Sequence, residues 1–154
     1  MEEVIAADGL TNDSTQGPED TIEELSFFVA GRPAAQGSKK HVGNGRMVEM
    51  SKFLPAWRKA VVDRAVEVLA GREGFDRDEP IHCSLQFYIP RGKTVTRTFP
   101  TVPADVDKLE RAVFDALTIA KVWVDDAQVV AGTRGKRYAD ECPPGVRITV
   151  RSAA

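Results

Sequence analysis

Residues 105–120 read Asp105-Val106-Asp107-Lys108-Leu109-Glu110-Arg111-Ala112-Val113-Phe114-Asp115-Ala116-Leu117-Thr118-Ile119-Ala120. Leu109, Ala112, Val113, Ala116, Leu117 and Ala120 recur at spacings of three and four residues. A helix gathers them into one continuous apolar stripe, whereas a strand would scatter them over both faces. The stretch therefore predicts a helix with one side to bury. Two acids stand at its start.

Working outward, the neighbouring segments supply something to bury it against. Pro80–Pro90 alternates, with Ile81, Cys83, Leu85, Phe87 and Ile89 on one face and His82, Ser84, Gln86 and Tyr88 on the other, which predicts a strand buried on one side. Leu25–Gly31 is rich in strand-favouring residues. Val146, Ile148 and Val150 alternate with Arg147, Thr149 and Arg151 to give a final strand. Residues 53–70 carry a second helical stripe through Leu54, Trp57, Val61, Ala65 and Val68, with Pro55 in the first turn and Gly71 at the stop.

The weaker signals fill the gaps. Residues 32–40 read as a loop, and Arg46–Met50 as a short strand after the Gly43-Asn44-Gly45 turn. Arg91–Thr101 reads as a mobile basic loop. Ala127–Tyr138 reads as a strand or bent hairpin interrupted by Gly132 and Gly135. The order β-(β)-α-β-α-β-β suggests a mixed β-sheet with helices packed on it, in the α+β or α/β class, of which α+β is the expected one.

The chain has 154 residues, enough for one domain. Its net charge of −2 hides an asymmetry. Residues 1–24 hold eight of the 23 acids and none of the 21 Lys and Arg residues, so 25–154 carries a net +6. Residues 1–24 are expected to be a disordered acidic tail, and 25–151 the folded domain. A basic domain suits a phosphate-bearing partner. No apolar run approaches the ~20 residues of a membrane span. The acidic N-terminus lacks a signal-peptide pattern, so the expected location is the cytoplasm. Cys83 and Cys142 have no metal-ligand spacing and read as free thiols.

Asp105 and Asp107 have an ordinary reading, because a helix start favours acids that meet its free N–H groups and dipole. One acid meets that need. Two carboxylates converging on one point repel unless a cation lies between them. A second pair, Asp125-Asp126, ends the apolar run Val122-Trp123-Val124. A 15-residue helix runs roughly 22 Å, and residues 119–124 can return the chain along it. Asp105, Asp107 and one or both of Asp125 and Asp126 would then form an all-oxygen site for Mg²⁺ or Mn²⁺. Asp107, Arg111 and Asp115 share one helix face. Arg111 is read either as an ion-pair partner of these acids or as a charge for a phosphate transition state, and Asp115 as the residue that holds it.

The two acid blocks and the helix between them resemble the RusA family of Holliday junction resolvases. The likeness runs from Asp105 through Leu117 and from Trp123 through Val129. It extends to Gly31-Arg32-Pro33, Lys136-Arg137-Tyr138 and Pro143-Pro144-Gly145-Val146, so that it spans roughly residues 25–151. The resemblance implies a homodimer with two active sites, Mg²⁺-dependent symmetric nicking of four-way DNA junctions, metal ligation by Asp105, Asp107 and Asp126, and a phage or bacterial source. Two residues depart from the family pattern. Lys108 stands where the family has Asn, and Arg111 where it has a catalytic Lys. Arginine keeps the charge but does not give up its proton, which leaves Lys108 or Lys136 to supply an ammonium.

Lys39, Lys40, Arg91, Lys93, Arg97, Arg134 and Lys136 are the candidate phosphate contacts. A C₂ dimer would match the near two-fold symmetry of a four-way junction. Two other readings compete. Arg111 in place of lysine fits an inactive module that binds branched DNA. An acid cluster alone would also fit a hydrolase of small phosphoesters, against which the basic loops argue.

Overall fold

The computed structural model describes residues 21–37, 39–42, 46–49 and 52–154, with the segments 39–42 and 46–49 described by backbone alone. Its elements in chain order are β1 (Glu24–Ala30), β2 (Lys39–Val42), β3 (Arg46–Glu49), α1 (Leu54–Leu69), β4 (Ile81–Ile89), α2 (Val106–Ile119), β5 (Val129–Ala131), β6 (Arg134–Tyr138) and β7 (Gly145–Ser152). A 3-10 turn, Asp126–Gln128, precedes β5. The α+β class with a mixed sheet is as the patterning implies.

The main sheet runs β1-β7-β4-β5, with β6 also paired to β4. β7 is antiparallel to both β1 and β4. β5 and β6 both run parallel to β4, β5 opposite Ile81 and His82 and β6 opposite Leu85–Ile89. The segment expected as a strand or bent hairpin is therefore one edge strand broken in the middle. The break falls at Gly132, whose φ is +142°. A Cβ there would lie 1.8 Å from the Cys83 carbonyl oxygen, so only glycine fits. Thr133 bridges the gap by accepting from the Leu85 amide and donating its own amide to Ser84 Oγ. β2 and β3 pair with each other as a separate antiparallel ladder.

One face of the sheet carries the core. Leu25, Phe27, Val29, Ile81, Leu85, Phe87, Val146, Ile148 and Val150 are buried, and so are the α2 stripe and Trp57, Val61 and Ala65 of α1. Each large aliphatic side chain removed from water contributes roughly 1.5–3 kcal/mol. The fold also begins earlier than Leu25. Thr21 bridges Glu73, Ile22 is buried and β1 starts at Glu24. Residues 1–20 of the expected tail and the Gly43–Gly45 turn lie outside the described residues.

Arg91–Thr101 has no regular structure but is held in place. Arg91 makes a two-pronged bond to Asp140 at 2.8 and 2.9 Å and donates to the Val95 and Arg97 carbonyls. Its guanidinium lies 4.1 Å over the Tyr138 ring, and Arg97 donates to the Tyr138 hydroxyl. The mobile loop expected from its turn residues is tied to β6 and to the chain just after it. No helix among the described residues is long and apolar enough to cross a membrane. Both cysteines are free. Burial, with a smaller contribution from Glu110, pushes the Cys83 thiol up to about 12.

Candidate active site

The sheet presents α2 with its apolar stripe inward, which leaves Asp107, Arg111 and Asp115 in line along another face. Asp105 is the residue before the helix, with extended backbone (φ −69°, ψ 146°). Its carboxylate does not cap the helix. Among the described residues its nearest cation is Lys108, at a loose 3.8 Å. The capping half of the ordinary reading of Asp105 therefore fails, which leaves its charge at the positive end of the helix dipole. Asp107, in the first turn, is exposed and pairs with no cation among the described residues.

At the far end the chain turns sharply. Val122 and Trp123 are buried, and Trp123 donates its indole N–H to Thr118 Oγ1 at 2.7 Å. The two acids that follow divide their roles. The Asp125 carboxylate accepts from the Ala127 amide at 2.9 Å, while the Gln128 side chain accepts from the Asp125 amide, so the pair forms a capping box. Gln128 also donates to the carbonyls of Asp76 and Glu79, which anchors the turn. Asp126 is left outside this arrangement. Its carboxyl is held above the ordinary range by partial burial, then by the charge of Asp125 and a hydrogen bond with it, and finally by the charge of Asp115.

The return of the chain thus sets Asp126 within electrostatic reach of Asp115, eight residues beyond Asp107. By the helical rise that is about 12 Å along the axis. Among the described residues, no three His, Cys, Asp or Glu side chains are grouped as a metal-holding set. The acids form a stripe along α2 rather than a knot at its start. Their chemistry suits a hard divalent cation, because every donor is a carboxylate oxygen and Asp105 and Asp107 are not taken up by the fold.

Cations punctuate the stripe. Arg58 from α1 lies 3.5 Å from Asp115 and donates to the Gln36 side chain. Asp115 therefore pairs with Arg58, not with Arg111 as expected. Arg111 forms no ion pair among the described residues. It lies against Gly37, where a Cβ would sit 2.9 Å from Nη1. The Gln36 amide donates to the Lys108 carbonyl at 3.0 Å, which docks the 32–37 loop onto α2.

The expected phosphate contacts fall into three sets. Lys93 and Arg97 are exposed on the tied loop, Arg97 with one N–H given to the Tyr138 hydroxyl. Arg91, Arg134 and Lys136 are engaged: Arg91 with Asp140, Arg134 with Glu110 at 3.1 Å, and Lys136 with the Val102 and Ala104 carbonyls at 2.7 Å each. The side chains of Lys39 and Lys40 lie outside the described residues, and their backbone is in β2. A groove of about 700 Å³, lined by Leu69, Phe75, Trp123 and Val124 among others, sits at the C-terminal end of α2, away from Asp105 and Asp107.

A stripe of carboxylates on a sheet-backed helix, flanked by arginines and a tied basic loop, describes as a class a hydrolase of nucleic-acid phosphodiesters. The family model for endodeoxyribonuclease RusA matches residues 30–151. The chain belongs to that family and is an endodeoxyribonuclease, a hydrolase that acts on DNA. The activity that goes with the family is Holliday junction resolution, on branched DNA. No curated protein matches the chain in sequence.

Proposed function

We propose that the chain nicks four-way DNA junctions with the help of Mg²⁺ or Mn²⁺, and that Asp105 and Asp107 hold the ion, with Asp126, set toward Asp115 further along the stripe, not counted among its ligands. The observation that carries this is Asp105, an acid at a helix start whose carboxylate the helix does not use, two residues from a second exposed acid. When bound, the ion supplies charge that polarises the phosphodiester and eases deprotonation of the attacking water. The chain's own cations do the rest. Arg111 has no carboxylate partner among the described residues and can place its charge on the phosphate in the transition state. Its guanidinium stays protonated, so it stabilises charge and moves no proton. Lys108, beside Asp105, is the nearer ammonium.

Lys93 and Arg97 on the tied loop, with Lys39 and Lys40 on the β2–β3 ladder, are the outer phosphate contacts in this reading, and Arg134 flanks the stripe. Two copies related by a two-fold axis would set two such sites on equivalent strands of a junction. The test is nicking of a synthetic four-way junction, with and without EDTA. Wild type is expected to make paired cuts with Mg²⁺ and none with EDTA. Asp107→Asn is expected to bind the junction and leave it uncut. Cutting by Asp107→Asn at the wild-type rate would remove Asp107 from the site, and junction binding without cutting by wild type would favour the inactive module.

A further inference from the structure

We infer that Lys136 is a positioning residue, which aims Asp105 by holding the peptide bond in front of it. The inference rests on the reading of Asp105 and Asp107 as metal-holding acids and adds the device that sets their direction.

Lys136 lies on β6, opposite Phe87 in the ladder to the central strand β4. Paired residues of a parallel ladder share a face, so its stem leaves the sheet on the buried, helix-bearing side. Its ammonium crosses to the segment before α2 and donates to the carbonyl oxygens of Val102 and Ala104, each at 2.7 Å. Among the described residues it makes no ion pair, so two of its three N–H groups serve backbone oxygens. A lysine free to contact DNA would leave them to water.

The choice of acceptors gives the contact its consequence. The Ala104 carbonyl belongs to the peptide plane that joins Ala104 to Asp105. Fixing the direction of that carbonyl fixes the rotation about the Asp105 N–Cα bond, its φ. With the Ala104 peptide held on one side and α2 packed from Val106 on the other, both rotations of Asp105, φ at −69° and ψ at 146°, are restricted, and ψ sets the direction of its Cα–Cβ bond relative to α2. Asp107 sits on the same first turn and follows it. The second bond, to Val102, stops the approach segment from pivoting about the first. Arg134, two residues earlier on the same face of β6, pairs with Glu110 of α2 at 3.1 Å. The strand thus grips both the entrance and the first turns of the helix. A ligand displaced by about 1 Å loses much of its value to a small cation that demands near-ideal octahedral geometry.

Lys136→Met keeps the stem and removes the ammonium. Both carbonyls then turn to water, and the fold is expected to survive. Two readouts apply to the full-length chain: Mn²⁺ affinity without DNA by calorimetry, and kcat and KM for junction nicking. Lys136→Met is expected to bind Mn²⁺ at least about fivefold more weakly and to lose about tenfold or more in kcat, with KM within about threefold, as befits support behind a metal ligand. Lys136→Arg, which keeps charge and donors, should recover most of both losses. Lys59→Met, on the outer face of α1, should match wild type. Wild-type Mn²⁺ affinity and kcat in Lys136→Met, with raised KM and a salt slope reduced by about one, would make Lys136 a phosphate contact and overturn the inference. If Lys136→Met does not fold, Lys136→Gln is judged on the same terms. A wild-type chain that neither binds Mn²⁺ nor nicks would instead sink the metal site itself, and the inference with it.

Discussion

Asp105 and Asp125 each stand at the residue just before a helical segment, and they do different work. Asp125 accepts from the Ala127 amide and completes a capping box with Gln128, so its carboxylate belongs to the fold. Asp105 occupies the same position before α2, yet its carboxylate caps nothing and faces solvent beside Lys108. The helix it opens is long, amphipathic and backed by a sheet, and stands without a cap. The 3-10 turn is three residues long and needs one. Position alone therefore does not say whether an acid is structural. What distinguishes the two is whether the local backbone uses the oxygen atoms.

The largest test of that contrast is activity. Asp105→Asn and Asp107→Asn are each expected to lower nicking by at least about 100-fold, beyond the 10–100-fold typical of a supporting group, with melting temperature nearly unchanged. In Asp105→Ala, a rate loss that tracked a loss of about 1 kcal/mol in stability would make Asp105 a cap after all. Next comes Asp125→Ala, which removes a working cap and should cost about 1 kcal/mol in urea unfolding, whereas Asp125→Asn should cost little. If alanine were as harmless as asparagine, the capping box would be idle.

Asp126 offers a smaller effect of opposite sign. Its folded pKa is raised above the unfolded value by burial, Asp125 and Asp115. In that case the folded state binds the extra proton more readily, so the ionised group costs stability at neutral pH. Asp126→Asn should therefore stabilise the metal-free protein at pH 7. The gain should shrink as pH falls through the folded pKa and vanish below the unfolded one. A gain that persisted in acid would point to packing rather than charge. Asp140 runs the other way and is the smallest effect. Its bond to Arg91 holds its carboxyl below the ordinary range, so its contribution is present above the unfolded pKa and is lost as pH falls through the folded one. Protease sensitivity of the 91–101 loop should rise over that acid interval, and Asp140→Asn should show it already at pH 7.

Much of the scaffold was legible in the sequence because periodicity reports burial directly. α2, α1, β4 and β7 follow from which residues alternate or recur, and each buries most of the face its pattern names, while β1 follows from its strand-favouring residues alone. Partners were not legible. Nothing near Val129–Tyr138 says that both halves will lie parallel to β4, since that depends on the Cys83 carbonyl passing within reach of Gly132. Arg91, Arg134 and Lys136 looked like free surface cations because their acceptors, Asp140, Glu110 and the 102–104 carbonyls, are 24 to 49 residues away. The division between Asp125 and Asp126 was available, since an acid followed three residues later by Gln128 is a capping signature. The share of the Asp126 elevation that comes from Asp115, smaller than those from burial and from Asp125, required the turn after α2, and no local pattern encodes that distance.

The break in the edge strand at Gly132 bears on how this protein would answer to saturation mutagenesis. Every side chain, alanine included, would collide there with the backbone of the central strand. A screen that scores only lost cleavage would thus rank Gly132 beside Asp107, although one position serves architecture and the other chemistry. Soluble yield separates them: variants at 107 should accumulate as native protein, and those at 132 should go to the pellet.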